Sequence, residues 1–233
     1  MTCPRCAGDG LHVAVVHDQR RPDSWVEQIE ERLGHVHVNL ERGKGRWDTH
    51  RMALEAGSAS GAPTMLMLQD DAVVPERGLR ETLEAIGELA GAQPVSLYVG
   101  GLRPRELLVR RAVDSTPDGT LLRGPGPWWA VGLLLPTGNL LDLLPIADRA
   151  PTPNVDHKLE RAYRRSGLHC LYTIPSLVDH RPEAENPSMI RGRAGDRRAH
   201  RFVGHDASGL DWTVGGSITR GPTVDTTAKA QVR

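Results

Sequence analysis

The sequence predicts an α/β fold with a mainly parallel central sheet flanked by helices, built as a single domain with an irregular C-terminal tail. Three observations carry this. Short apolar runs alternate with segments of helical spacing through the first ninety residues, the pattern of βαβ units. The first and third apolar runs are continuous, as strands covered on both faces are, while the second, "HVHVNL", alternates. The chain has 233 residues, 39% hydrophobic and 25% charged, enough for one sizeable core. The expected organisation is an extension over 1–10, a domain over 11–213 and a tail over 214–233.

Each element follows in order. "HVAVVH" (12–17) reads as a buried strand, and "RRPD" as a loop. "SWVEQIEERLG" is a helix with Ser24 and Glu27 spaced as a capping box and Gly34 as its stop. "HVHVNL" (35–40) is a second strand, "ERGKGR" a basic loop, and "WDTHRMALEAG" (47–57) a helix closed by Gly57. "APTMLMLQDD" is the third strand. From Glu76 to Ala90 apolar residues fall at 79, 83, 86 and 90, a helix with one apolar face. "PVSLYVGG" (94–101) is a fourth strand, "PRELLVRRAV" a short helix, and "STPDGTLLRGPGP" (115–127) a Gly/Pro-rich loop. "WWAVGLLLP" is a buried strand ended by Pro136, "TGNLLDLLPIADR" a short helix, and "PTPNVDHKLERAYRRSG" a helix stopped by Gly167. "LHCLYTIPSLVDH" is the last strand. The polar, arginine-rich stretch after it leads into the tail.

Composition excludes several classes. Formal net charge is zero, so no global field draws the chain to nucleic acid or membrane. No apolar run approaches the roughly 20 residues needed to span a bilayer. No basic-then-apolar leader opens the chain, so the expected location is the cytoplasm. Three cysteines make no disulfide framework. Cys3 and Cys6 form "CPRC", half of a zinc site that His12 and His17 could complete; two free thiols in a frayed terminus is the favoured reading. There is no G-x-G-x-x-G after the first strand and no G-x-x-x-x-G-K-[ST], so dinucleotide and P-loop fingerprints are missing.

The chemistry concentrates where the third strand ends. Asp70 and Asp71 stop a buried apolar run and are followed at once by "AVVP". They could cap the next helix, but they come several residues too early for one that begins near Pro75. A divalent cation site is the sharper reading, because Mg²⁺ and Mn²⁺ take carboxylate oxygens and bridge to diphosphates. Strand ends on one edge of a parallel sheet form a common ligand crevice. Asp179 and His180 close the last strand, and imidazole is a ligand for Mn²⁺, so Asp71 and His180 could share one ion. Asp156 opens a helix after two prolines. It is either a first-turn acid favoured by the helix dipole or a general base facing the crevice.

Together, a buried first strand ending near a basic loop, "LQDDA", an acid-led helix and "TIPSLVDH…NPS" resemble a glycosyltransferase of the GT-A type. The likeness is to the small family that includes procollagen galactosyltransferases, lipooligosaccharide glycosyltransferases and many bacteriophage glycosyltransferases, over about residues 11 to 205. In that family the acidic motif usually begins with a carboxylate; here Gln69 stands in its place. The resemblance implies a nucleoside-diphosphate sugar donor, expected as a UDP-sugar, with Mn²⁺ or Mg²⁺ on Asp71 and His180 as Lewis acid. Gln69 and Asp70 would orient the donor. His17 and Arg20 would meet the nucleobase and ribose, and Arg51 the base or phosphate, each with a solvated loop residue as its alternative. Asp156 matches the base of inverting members.

For the acceptor, phage members point to a hydroxymethylated pyrimidine in phage DNA, which would place the enzyme in host cytoplasm. Arg191, Arg193, Arg197, Arg198 and Arg201 would contact the backbone, with Phe202 or Trp212 stacking on an exposed base. A solvated charge run or a clamp on donor phosphates are the other readings of these arginines. A cell-envelope glycan or a protein hydroxyl are the other acceptors. Trp128 and Trp129 could form a sugar-stacking wall or belong to the core. From another class, a divalent-metal phosphoester hydrolase also gathers Asp and His at strand ends.

Overall fold

Side-chain alternation along the two most buried strands sets the architecture. In β1 (Leu11–Asp18) and β3 (Thr64–Gln69), Val13, Val15, Leu66 and Leu68 point to one face, and Ala14, Val16, Met65 and Met67 to the other. Each face is apolar, so each needs a helical layer. In the computed structural model, which describes residues 10–41, 46–101, 106–182 and 197–218, both layers are present. The first face is covered by α1 (Ser24–Leu33), α3 (Leu79–Ala90) and α4 (Glu106–Asp114), through residues such as Ile29, Leu83, Ile86 and Val109. The second is covered by α2 (Arg46–Ala59), α5 (Leu140–Asp148) and α6 (Val155–Arg165), through Leu54, Leu144, Leu159 and Tyr163. The four apolar positions expected on α3 are all buried.

The remaining strands are β2 (His37–Glu41), β4 (Ala72–Val73), β5 (Val95–Ser96), β6 (Thr120–Gly124), β7 (Gly132–Pro136), β8 (Cys170–Ile174), β9 (Asp179–His180) and β10 (Thr213–Ser217). Among the described residues they form an eight-stranded sheet, ordered β10-β6-β8-β5-β7-β3-β1-β2, and a two-stranded ladder of β4 with β9. The sheet is mixed: β1, β2, β3, β5 and β8 run one way, and β6, β7 and β10 run against them.

Several sequence expectations need correction. The segment 115–127 is not all loop, because β6 lies within it and pairs β8. Most of 94–101 is not strand: only Val95 and Ser96 keep ladder pairing, and Leu97 instead serves Leu177 and Val178 through its carbonyl. The last apolar run is not one strand: β8 ends at Ile174, and β9 belongs to the two-stranded ladder rather than the main sheet. The tail expected from 214 begins inside β10.

Gly57 does not stop α2, which continues to Ala59; a Cβ there would lie 2.3 Å from Met65 Sδ, so the glycine lets helix and strand approach. Asp23, not Ser24, is the N-cap of α1, and it makes no side-chain cap bond because its carboxylate meets His17. Gly34, at φ 79°, ends α1 as expected. Among the described residues, no helix is long and apolar enough to cross a membrane.

Candidate active site

The parallel strands deliver their carboxyl ends to one edge. β1 ends on Asp18 opposite Glu41 of β2, and Val16 pairs Gln69 of β3. The chain leaves β3 through Asp70 and Asp71 and enters β4, where Ala72 pairs His180 of β9. The Arg181 N–H donates to the Asp71 carbonyl at 3.0 Å and extends that ladder. A two-residue ladder therefore brings Asp71 and His180 together, with His180 Nδ1 3.5 Å from Asp71 Oδ2. Both side chains are buried.

Asp70 is saturated from within. Its Oδ2 accepts from the Asp18 N–H at 2.8 Å and lies 2.8 Å from His17 Nδ1, while Oδ1 accepts from Arg21 Nη1. The other His17 nitrogen lies 3.0 Å from Asp23 Oδ1. His17 thus bridges two carboxylates and is 2% exposed, which corrects the expectation that it meets a nucleobase: it positions Asp70. Arg20 is also corrected. It is 58% exposed and forks onto Asp18, and its neighbour Arg21 is the arginine that turns inward. The Arg20 hydrogen bond holds the Asp18 carboxyl at about 2, against burial, with the Arg20 N–H and the charges of both arginines acting the same way.

Arg21 spans both carboxylates of the pair, reaching Asp70 and, at 3.1 Å, Asp71 Oδ2. Burial would push the Asp71 carboxyl up. The hydrogen bond and charge of His180, and the charges of Arg21 and Arg197, outweigh it and hold the group well below the usual range. Arg197 Nη2 lies 3.1 Å from His180 Nε2. A guanidinium can only donate, so Nε2 is the acceptor and a neutral His180 ring carries its proton on Nδ1, toward Asp71.

This arrangement does not fit a divalent ion between Asp71 and His180. Ligation through Nδ1 would need that lone pair and would move the proton to Nε2, against the Arg197 N–H. Among the described residues, no group of three or more His, Cys, Asp or Glu gathers here, so water or substrate oxygens would have to complete the shell of any ion.

A small crevice, open to solvent, runs along these strand ends. Its walls include Asp18, Arg21, Asp70 and Gln69, with Glu41 and His50 toward β2 and Arg197 across from them. Gln69 stands on the wall. Arg51 does not: it turns outward to Glu55 at 3.1 Å and Asp148 at 3.4 Å, and His50, one residue earlier, takes the inner position.

Asp156 sits at the start of α6. Asn154 caps that helix by accepting from the Asp156 N–H at 2.9 Å, which leaves the Asp156 carboxylate for other work. Its Oδ1 accepts from the Ala130 N–H at 3.0 Å. Burial raises its pKa to about 6, against the Ala130 hydrogen bond and the charges of His157, Arg197 and His180. Asp156 therefore shares one electrostatic neighbourhood with Asp71 and its partners.

The arginines expected to hold DNA divide. Arg197 belongs to the crevice. Arg198 forks onto buried Asp179 at 2.5 Å, and Arg201 serves the Thr116 carbonyl at 2.7 Å and Asp118 at 3.1 Å. Both are thus structural. Arg191 and Arg193 lie outside the described residues, as do Cys3 and Cys6. Of the proposed stacking rings, Trp212 is buried in the core. Trp128 and Trp129 are both core residues, packed edge to face at 79°. Trp129 stands edge-on to Tyr98, and Tyr98 edge-on to His180 at 5.2 Å, so an aromatic column backs the His180 ring.

Sequence reasoning missed Arg21, Glu41 and His50. A signal existed for Glu41, which ends an alternating strand on the same edge as Asp70. For Arg21 and His50 the sequence offered the right stretch but not the residue.

A scan of protein-family models finds no match, and no curated protein matches the sequence. Among solved structures, the chain is similar to A197 from STIV, with a TM-score of 0.45 and 12% identity, over 73% of this chain and 85% of that one.

Proposed function

We propose that the chain is a glycosyltransferase of GT-A-like organisation that moves a sugar from a nucleoside-diphosphate sugar to a hydroxyl acceptor. The observation that carries this reading is one edge of the sheet where Arg21 and Arg197 line a crevice and where Asp156, a carboxylate of raised pKa, accepts from the Ala130 N–H. Arg21 and Arg197 line the crevice and would meet the diphosphate, stabilising the charge that builds on the leaving nucleoside diphosphate. Asp156, with a pKa of about 6, is ionised at neutral pH yet basic enough to take a proton from a hydroxyl. In that role the acceptor oxygen bonds to the anomeric carbon, the bond from that carbon to the phosphate oxygen breaks, and the hydroxyl proton passes to Asp156.

A divalent ion on Asp71 and His180, which approach to 3.5 Å, is the competing carrier of the diphosphate charge, although the hydrogen bonds described above do not fit it. It requires Arg21 and Arg197 to release them first. The phosphoester hydrolase reading has less support, because two-metal chemistry needs more ligands than the described residues gather. A DNA acceptor loses the support of Arg198 and Arg201, which are engaged by the fold.

Thermal unfolding with a panel of nucleoside diphosphates, each with Mn²⁺ and with a chelator, tests the reading. Binding at a hundred times Kd stabilises by about 2.7 kcal/mol, a readily measured rise in melting temperature. A rise that persists in chelator supports the arginines as the charge carriers, and one that requires Mn²⁺ transfers that role to a metal. No rise with any member of the panel removes the nucleotide-sugar reading.

A further inference from the structure

His50 stands apart from the other crevice residues. Its side chain is 3% exposed and lines the wall. Nδ1 lies 2.7 Å from the Arg46 carbonyl oxygen, one helical turn earlier. A carbonyl only accepts, so Nδ1 carries the ring proton. Nε2 is then a lone-pair acceptor, and it has no hydrogen-bond partner. Burial lowers the pKa to about 4, so the ring stays neutral and Nε2 stays an acceptor at neutral pH. A buried acceptor without a donor is destabilising, which points to a ligand that supplies one.

Position narrows the ligand. α2 packs over β1 and β2, so His50 shares the β2 end of the crevice with Glu41, while Arg21 and Arg197 reach the groups beside the β4–β9 ladder. On the reading given above, a diphosphate held by those arginines directs its nucleoside toward His50. Glu41 and Asp18 are acceptors suited to ribose hydroxyls, and a flat base is the part of a nucleotide able to reach a buried ring nitrogen. We propose that His50 is a specificity-determining residue whose Nε2 accepts a hydrogen bond from the ring N–H of a uracil or guanine base. Cytosine and adenine present a ring lone pair at the corresponding edge, set against the lone pair of Nε2.

Calorimetric titration of the full chain with UDP, GDP, CDP and ADP tests this, using the parent, His50→Asn and His50→Gln. The Asn amide nitrogen reaches the Nδ1 position and keeps the bond to Arg46, with nothing in place of Nε2. The Gln amide oxygen reaches the Nε2 position. The parent is expected to bind UDP or GDP about tenfold or more tighter than CDP and ADP, a difference of about 1.4 kcal/mol. His50→Asn is expected to lose most of that preference with little change in melting temperature, and His50→Gln to regain it. An Asn variant with the parent's affinity and preference overturns the inference alone, as does a parent that favours CDP or ADP. A parent that binds none of the four overturns it together with the donor reading.

Discussion

Replacing Arg21 by methionine removes one guanidinium from between two buried carboxylates and keeps most of the stem. Arg21 is 16% exposed, and Asp70 and Asp71 are 1% and 0% exposed. A unit charge pair at about 4 Å and an effective dielectric near 20 is worth about 4 kcal/mol. Arg21 makes two such pairs, but His17, the Asp18 N–H and His180 still serve the carboxylates in its absence. The expected net loss is therefore about 3–5 kcal/mol at neutral pH, the usual cost of breaking one side of a buried ion pair.

The pH dependence has a definite sign. In the parent, Asp71 has a folded pKa below its unfolded value of about 3.9, so it contributes stability above that pH which is lost as pH falls toward the folded value. Without the charge of Arg21 the folded pKa of Asp71 rises. The deficit of the variant should be largest above about pH 4 and should shrink as acid protonates Asp71. Urea unfolding across this range measures it, and Asp71→Asn in the Arg21→Met background should recover part of the loss. A deficit below about 1 kcal/mol at neutral pH, or one that does not change with pH, would refute the reasoning.

Two further outcomes follow from other parts of the molecule. Asp156→Asn should reduce sugar transfer by about 10²–10⁴ while nucleotide affinity is kept; in the parent, transfer should rise with pH through about 6, as Asp156 loses its proton, and a flat profile would remove it as the base. Gly78→Ala should destabilise by more than the roughly 1 kcal/mol of a left-handed alanine, because φ is +73° and the new Cβ would lie 2.5 Å from the Ser208 nitrogen; urea midpoints equal to the parent's would contradict this contact.

The sequence was most readable where burial imposes a period. β1, β3 and α3 follow from apolar spacing alone, whereas the meeting of Asp71 with His180 depends on the β4–β9 ladder, which the apolar pattern does not show. Strand direction has no such signature. The run around Leu133 to Leu135 looks the same in either orientation, and its reversal against β3 is decided by which neighbours it can pair. β6 hides between Pro117 and Pro125 because its ladder with β8, not its composition, makes it a strand. The one-residue offsets at Arg20 and Arg51 have a different cause. Adjacent arginines in a loop share no period that would separate them. In α2, Thr49, His50, Ala53, Leu54 and Gly57 are buried, and polar members of that face hid its phase.

The reversal of β7 has a consequence for acid–base chemistry at this edge. A strand running with its neighbours would bring its last residues to the rim. The reversed strand instead presents its entrance, and with it the N–H of Ala130. Asp156 is thereby oriented by a neutral backbone amide rather than by a bonded cation. An amide fixes the direction of a carboxylate without imposing the deep pKa depression that Asp71 undergoes among His180, Arg21 and Arg197. One inverted strand thus lets two aspartates on the same rim differ in basicity, one locked as an anion and the other able to exchange a proton near neutrality.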